Sequence, residues 1–374
     1  MAIQLVCTNY QEMFGLPRYN VTLVEYLQLL GFPFFLSYPS IPKSVLSLNK
    51  ICRGLDCDIQ TVFTNYPLIT STNKEDLVHL TNHTLSTLYI LNHFEKSIVT
   101  VHDIDSEWEH FSSRYSGTRY AIYRILHRLC LIELKKSDFI ITDTDHVRKH
   151  IQLTLTISGK KIFVIPLGID HDVFNTSSGR YPGITEFSSQ GPIILHVGTF
   201  APRKNFENLV KAFAELVKVI PSAILVKVGR QNWPLEFERI TQLIHKFDLT
   251  NRVIFLQDLT DIDLARLYRT VDLLVYPSFY EGFGLPVLEA MACGTPVITS
   301  NTSSLPEIAE NAALLVDPND VEEIGFAMRQ VLSDSELAQE LRERGLARTA
   351  EFTWEKTARQ TIALYEKVLG ESIH

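Results

Sequence analysis

The hydrophobic pattern is most regular in the second half of the chain. Short apolar runs at 193–197, 223–228, 253–256, 273–276, 296–299 and 312–316 alternate with segments of helical period. After Asn205, for example, Leu209, Ala212, Phe213, Leu216, Val217 and Ile220 fall on one helix face. Runs apolar throughout fit strands buried on both sides. Their alternation with helices predicts βαβ units around a parallel sheet. Six such runs predict one doubly wound domain.

The first half follows the same pattern less cleanly. Residues 3–7 read as a strand; Tyr19, Leu23, Tyr26, Leu27 and Leu30 mark a helix, with Gly31 at its expected C-terminal stop. Runs 98–101, 139–142 and 162–165 read as later strands. Between the halves, 175–192 (NTSSGRYPGITEFSSQGP) is polar and rich in Gly, Ser and Pro, the composition of a linker. The expected fold class is α/β, with two Rossmann-like doubly wound domains facing across a cleft. The expected parts are an N-terminal domain 1–174, a linker 175–192, a C-terminal domain 193–353 and a final helical stretch 354–374. Such a cleft is a usual place for a small-molecule site.

Composition narrows the class. A chain of 374 residues exceeds one typical core, and 45% hydrophobic residues suffice for two. A net charge of −8 argues against nucleic-acid binding by the surface as a whole. Five scattered cysteines, Cys7, Cys52, Cys57, Cys130 and Cys293, form no CxxC pair, so neither a zinc site nor a disulfide framework is indicated. Reduced thiols and a cytoplasmic location fit best. Sequons at Asn20, Asn82, Asn175 and Asn301 matter only in a secreted protein, and MAIQLVCTNYQ does not read as a signal peptide. The apolar region 26–42 is broken by Gly31, Pro33, Pro39 and Pro42 and does not read as a membrane span.

Two segments carry candidate chemistry. In SFYEGFGLPVLEAMACGTPVITS (278–300) a predicted strand leads into a loop and then a helix with Pro286 in its first turn. Gly282 and Gly284 allow close approach of the backbone to a ligand. The helix N-terminus offers unpaired N–H groups and partial positive charge, which suits phosphate. Glu281 and Glu289 flank this point. Carboxylates repel phosphate but accept well from hydroxyls, so each suits one hydroxyl-rich end, sugar or ribose, of a sugar nucleotide. For Glu289 taken alone, complementing the helix dipole is an equal reading. In HVGTFAPRKNFENL (196–209) a strand ends at Val197, Gly198 turns the chain, and Asn205 can cap the next helix. Arg203 and Lys204 stand just before that cap, where two cations can neutralise a diphosphate leaving group.

GTFAPRKNFENLVKAF, YPSFYEGFGLPVLEAMACGTPVITS and LPEIAENAALLVDPND resemble the C-terminal domain of retaining glycosyltransferase family four, which has the two-Rossmann GT-B fold. The resemblance covers roughly 190 to 365 and includes the glutamate–seven residues–glutamate motif. GLPRYN, TVHDI, SDFIITDTDHVRKHI and VIPLGIDHDVF resemble landmarks of the N-terminal half. The resemblance implies a hexosyltransferase that retains anomeric configuration, needs no metal or other cofactor, and has no side-chain nucleophile. The departing phosphate itself helps deprotonate the acceptor. Glu281 would contact donor-sugar hydroxyls, Glu289 the ribose, and Arg203 and Lys204 the diphosphate. Gly284 and Leu285 would give backbone N–H groups; Gly198, Gly282 and Phe283 complete the implied donor set. His102 would reach the donor sugar from the N-terminal domain, and its position at a strand's C-terminal end agrees. The stretch 354–374 would cross back onto the N-terminal domain. The tail resembles mannosyltransferases of surface-polysaccharide assembly, favouring GDP-mannose as donor over UDP-glucose and a glycan or lipid-linked acceptor.

Two departures from the family pattern stand out. The early loop keeps only Gly15, followed by Pro17, Arg18 and Tyr19, and the TDTDH turn has Asp145 where a small hydroxyl residue is common. D-x-D occurs at Asp56/Asp58, Asp103/Asp105, Asp143/Asp145 and Asp261/Asp263, as chance allows in an acidic chain; only Asp103/Asp105, beside His102, stays open as a metal pair. The stretch 119–136 puts Arg124, His127, Arg128 and Lys135 on one helical face and Ile122, Ile125, Leu126, Leu129 and Ile132 on the other. That pattern fits an ordinary domain helix or peripheral membrane contact. The alternatives to transfer are a nucleotide-sugar-binding protein without activity and a sugar-nucleotide epimerase of the same fold.

Overall fold

A computed structural model describes residues 3–7, 16–40, 66–68, 70, 77–104, 118–177, 179–184 and 191–370. Gly15, Cys52, Cys57, the Asp56/Asp58 pair and Asp105 lie outside these residues. The chain divides into two units, Met1–Gly168 with Trp354–His374, and Ile169–Thr353.

The first unit carries β1 (Ile3–Val6), α1 (Leu16–Leu29), β2 (Phe35–Ser37), β3 (Leu77–Leu80), a 3-10 helix (His83–Ile90), β4 (Lys96–Val101), α2 (Thr118–Leu134), β5 (Phe139–Thr142), α3 (Asp145–Leu155) and β6 (Ile162–Val164). Its six strands lie in the order β2-β1-β3-β4-β5-β6, and every pairing is parallel. The core between sheet and helices includes Val78, Leu80, Val99, Val101, Ile140, Val147 and Ile151.

The second unit carries β7 (Ile193–Val197), α4 (Phe206–Val219), β8 (Ile224–Val228), α5 (Pro234–Lys246), β9 (Val253–Leu256), α6 (Asp261–Tyr268), β10 (Leu273–Tyr276), α7 (Leu285–Ala292), β11 (Val297–Ser300), α8 (Leu305–Ala309), β12 (Leu314–Val316), α9 (Val321–Ser333) and α10 (Ser335–Thr349). Its order is β12-β11-β10-β7-β8-β9, again parallel. The chain starts at β7, winds outward to β9, then returns beside β7 with β10. The order therefore reverses between β7 and β10, and ligands of such sheets bind outside the carboxyl ends at that reversal. Strands β7, β8, β10 and β11 are buried along their whole length, as continuous apolar runs require of a sheet covered on both sides. On α4, Leu209, Ala212, Phe213 and Leu216 are buried, while Val217 and Ile220 pack at the rim.

Two expectations need revision. The stretch 175–192 lies inside the second unit: Ile184 is buried, Arg269 donates to the Asn175 and Gly179 carbonyls, and the Tyr181 N–H bonds Thr270 Oγ1 at 2.7 Å. The polar composition of its described residues reflects a surface path. On α2 the face that packs inward is Tyr123, His127, Cys130 and Leu134, whereas Ile125, Leu129 and Ile132 are exposed. His127 is drawn inside because its Nε2 meets the Ile104 carbonyl at 3.2 Å, and Cys130 Sγ donates to the His83 carbonyl. The last helix, α11 (Trp354–Leu369), belongs to the first unit, where it packs against α1. Tyr365 reaches His79 Nδ1 at 2.6 Å, so the first unit is assembled from both ends of the chain.

Candidate active site

At the reversal in the second sheet, the turn after β7 meets the loop after β10. Gly198 turns the chain at φ +144°, and a Cβ on the neighbouring Gly229 would lie 1.8 Å from the Gly198 carbonyl oxygen. The two turns can touch only because Gly229 lacks a side chain. A 3-10 turn, Pro202–Lys204, follows. Its Arg203 carbonyl accepts the Phe279 N–H at 2.8 Å, which docks it on the second loop. Asn205 occupies the N-cap position of α4 but does not cap through its side chain. Its Nδ2 donates instead to the Pro277 and Pro318 carbonyls at 2.9 and 2.7 Å, stitching three segments together.

This framework brings three charges into contact. Glu281 Oε1 accepts from Lys204 Nζ at 2.7 Å, and Oε2 from Arg203 at 3.0 Å. Lys204 Nζ also donates to the Tyr276 hydroxyl at 2.7 Å, and Arg203 to the Tyr280 carbonyl at 3.1 Å. Burial pushes the Glu281 carboxyl up, but the charges of Lys204 and Arg203 outweigh it and hold the group down at about 2. Burial and then the Glu281 charge drive the Tyr276 phenol well above its ordinary value. One carboxylate against two cations leaves this point net positive, the charge that suits a diphosphate.

The loop after Glu281 leads to the N-terminus of α7. Gly284 takes the N-cap position at φ +108°, and a Cβ there would lie 2.8 Å from Leu305 Cδ2. Ser304 Oγ clamps the loop by donating to the Glu281 and Phe283 carbonyls at 2.8 and 3.0 Å. Leu285 opens the helix, with Pro286 beside it. The Phe283 ring is buried edge-on against Phe352, so Gly282, Phe283 and Gly284 present backbone rather than side chain. Glu289 is buried further along α7, and its Oε2 accepts from the Tyr268 hydroxyl at 3.1 Å.

His102 lies in the first unit, at the carboxyl end of β4. Its Nδ1 is 2.7 Å from Asp143 Oδ2, and Tyr19 packs edge-on against the ring. Burial lowers its pKa, but the Asp143 charge and hydrogen bond raise it to a net value above ordinary. Asp143 is raised by its own burial. Of the other D-x-D residues described, Asp145 pairs with Arg148 and Lys149, and Asp263 with Arg266. Tyr276, His196 and Lys227 were not singled out from sequence, and Asp143 was read only as half of a chance D-x-D pair; His196 and Lys227 interrupt otherwise apolar strands, which is the signal that could have found them.

A cationic group at the reversal of a doubly wound domain, in a chain that carries a second parallel-sheet unit, is the arrangement of the GT-B class. Solved structures agree on the fold. Sucrose-phosphate synthase from Thermosynechococcus elongatus superposes with a TM-score of 0.75 at 23% identity, covering 99% of this chain and 100% of that one. Anabaena HepE in complex with UDP-glucose gives 0.73 at 16%, covering 98% and 100%. Residues 179–348 match the model of the family Glycosyl transferases group 1. O-antigen chain mannosyltransferase B from Escherichia coli is 33% identical over 74% of this chain and 72% of its own length. Serotype-specific mannosyltransferase WbdA from Escherichia coli is also 33% identical, over 65% of this chain but only 30% of its own length. The chain belongs to the Glycosyl transferases group 1 family: it is a glycosyltransferase that moves a hexose from a nucleotide sugar.

Proposed function

We propose that the enzyme transfers mannose from GDP-mannose to a hydroxyl of a glycan or lipid-linked acceptor, with retention of configuration and without metal. The observation that carries this reading is the Arg203–Lys204–Glu281 group at the sheet reversal. The preference for mannose rests on the similarity to the O-antigen mannosyltransferase. When the donor enters, Arg203 and Lys204 exchange the Glu281 carboxylate for the diphosphate, and the released carboxylate accepts from sugar hydroxyls. Two cations neutralise the leaving group as its charge grows, which is the work a divalent ion would otherwise do. The α7 N-terminus adds backbone N–H groups through Gly284 and Leu285. Glu289 takes the ribose, and His102 the donor sugar. The departing phosphate removes the acceptor proton on the same face.

The cytoplasm, at the inner face of a membrane, suits a lipid-linked acceptor, and the exposed face of α2 suits peripheral attachment. Among the described residues no helix is long and apolar enough to cross a membrane. A mass-spectrometric donor panel, with and without EDTA, tests donor and metal together; the one-bond carbon–proton coupling at the anomeric centre of the product tests the anomer. Transfer from GDP-mannose that survives EDTA and gives the α-anomer is expected. Transfer only from another donor, or only with added metal, would overturn the corresponding part.

A further inference from the structure

Lys227 stands mid-strand in β8 with no exposed surface. Its ammonium donates to the Gly198 carbonyl, to the Thr199 carbonyl at 3.2 Å and to His196 Nδ1 at 3.1 Å. Phe200 and Phe206 lie with ring centroids 4.9 and 5.1 Å away. Among the described residues no carboxylate pairs with it. Burial, then the charge of Lys204, pull its pKa well below the ordinary lysine value. The partners work the other way: an ammonium has three donors and meets three acceptors, whereas a neutral amine would turn a lone pair on one of them. A buried charge with neutral partners is costly, and an apolar residue of similar volume normally serves a strand better.

Two lines run from this ammonium to the donor site. The first fixes the turn after β7. Among the described residues every peptide bond is trans, so where the carbonyls of Gly198 and Thr199 point at Lys227 the N–H groups of Thr199 and Phe200 point away from it. The second line runs through the imidazole. Because His196 Nδ1 accepts from Lys227, its Nε2 carries the proton and donates to the Lys204 carbonyl at 3.2 Å. The backbone of the cation that grips Glu281 is thus tied to the buried lysine.

We propose that Lys227 is a positioning residue for the donor diphosphate, holding the turn after β7 and the backbone of Lys204 from behind without touching the substrate. This rests on the donor-site reading above. The test uses the full-length chain with GDP-mannose. In Lys227→Met the aliphatic volume is kept and the three hydrogen bonds are lost. We expect donor KM to rise about 10- to 100-fold, as a misplaced binding group allows. Acceptor KM should stay within about twofold and the unfolding midpoint should not fall. An unchanged donor KM, or parallel losses in donor KM, acceptor KM and melting temperature, would overturn the proposal. Should that variant be insoluble, His196→Phe keeps a ring on Phe206 and Tyr276 and cuts the line to Lys204; the same donor-selective rise is expected, and its absence overturns the relay. Lys204→Ala serves as control: unaltered donor binding there would sink the donor-site reading itself, not merely the part given to Lys227.

Discussion

A carboxylate as buried as Glu281 would be expected to hold its proton, yet two cations keep it ionised down to about 2 from an ordinary 4.5. The folded value is depressed, so the stability it contributes is present above the unfolded value. It is lost as pH falls from about 4.5 toward about 2. Glu281→Gln should therefore be less stable than wild type at neutral pH, and the gap should close across that acid window in urea titrations. The same carboxylate should matter to chemistry. Glu281→Ala and Lys204→Ala are each expected to cut kcat/KM by roughly 10²- to 10³-fold while circular dichroism stays native. Wild-type-like turnover in both would remove the site. Asp143 acts one step away, on His102 Nδ1. Asp143→Asn keeps the shape but removes the charge that holds the His102 proton. Its kcat should drop by about tenfold or more, and the alkaline limb of the pH profile should move to lower pH.

Elements were legible where periodicity is strong. The runs at 193–197, 253–256, 273–276 and 139–142 became strands with those bounds, and the helix ending at Gly31 formed as its pattern predicts. β2 escaped notice because it has only three residues, two of them exposed, and β3 because His79 interrupts its apolar run. The candidate site was legible where a loop motif carries its residues, as with the contact of Arg203 and Lys204 with Glu281. It was not legible where residues distant in sequence converge: Lys227 on His196, or Asp143 on His102. Spacing along a chain reports a local face, not a meeting across a sheet. The return of α11 to the first unit was expected from the family resemblance, not from spacing, and the bonds that hold it were not foreseen. Its Tyr365 hydroxyl meets His79 Nδ1 at 2.6 Å, and His79 Nε2 meets Thr100 Oγ1 at 2.7 Å, so the last helix is bonded into the first sheet. Tyr365→Phe leaves one of these buried groups unpaired and should cost about 1–3 kcal/mol in denaturant unfolding.

At the scale of the molecule, a net charge of −8 opposes adsorption to an anionic surface, so any such binding must be local. The outward face of α2 is the place where it can be. Ile125, Leu129 and Ile132 are exposed there at helical spacing, interleaved with exposed Arg128 and followed by Lys135 and Lys136. Apolar side chains can enter the acyl boundary while the cations meet lipid phosphates, each worth about 1 kcal/mol near an anionic membrane. A few such contributions give reversible attachment that salt weakens. The enzyme is expected to co-sediment with vesicles containing phosphatidylglycerol, to be released by high salt, and to ignore purely zwitterionic vesicles. Ile125→Asp with Ile132→Asp should abolish sedimentation yet leave transfer to a water-soluble acceptor near wild type, because α2 lies in a different unit from the Glu281 group. Equal binding to neutral vesicles, or binding that survives the double substitution, would mean that this face is not what meets the lipid.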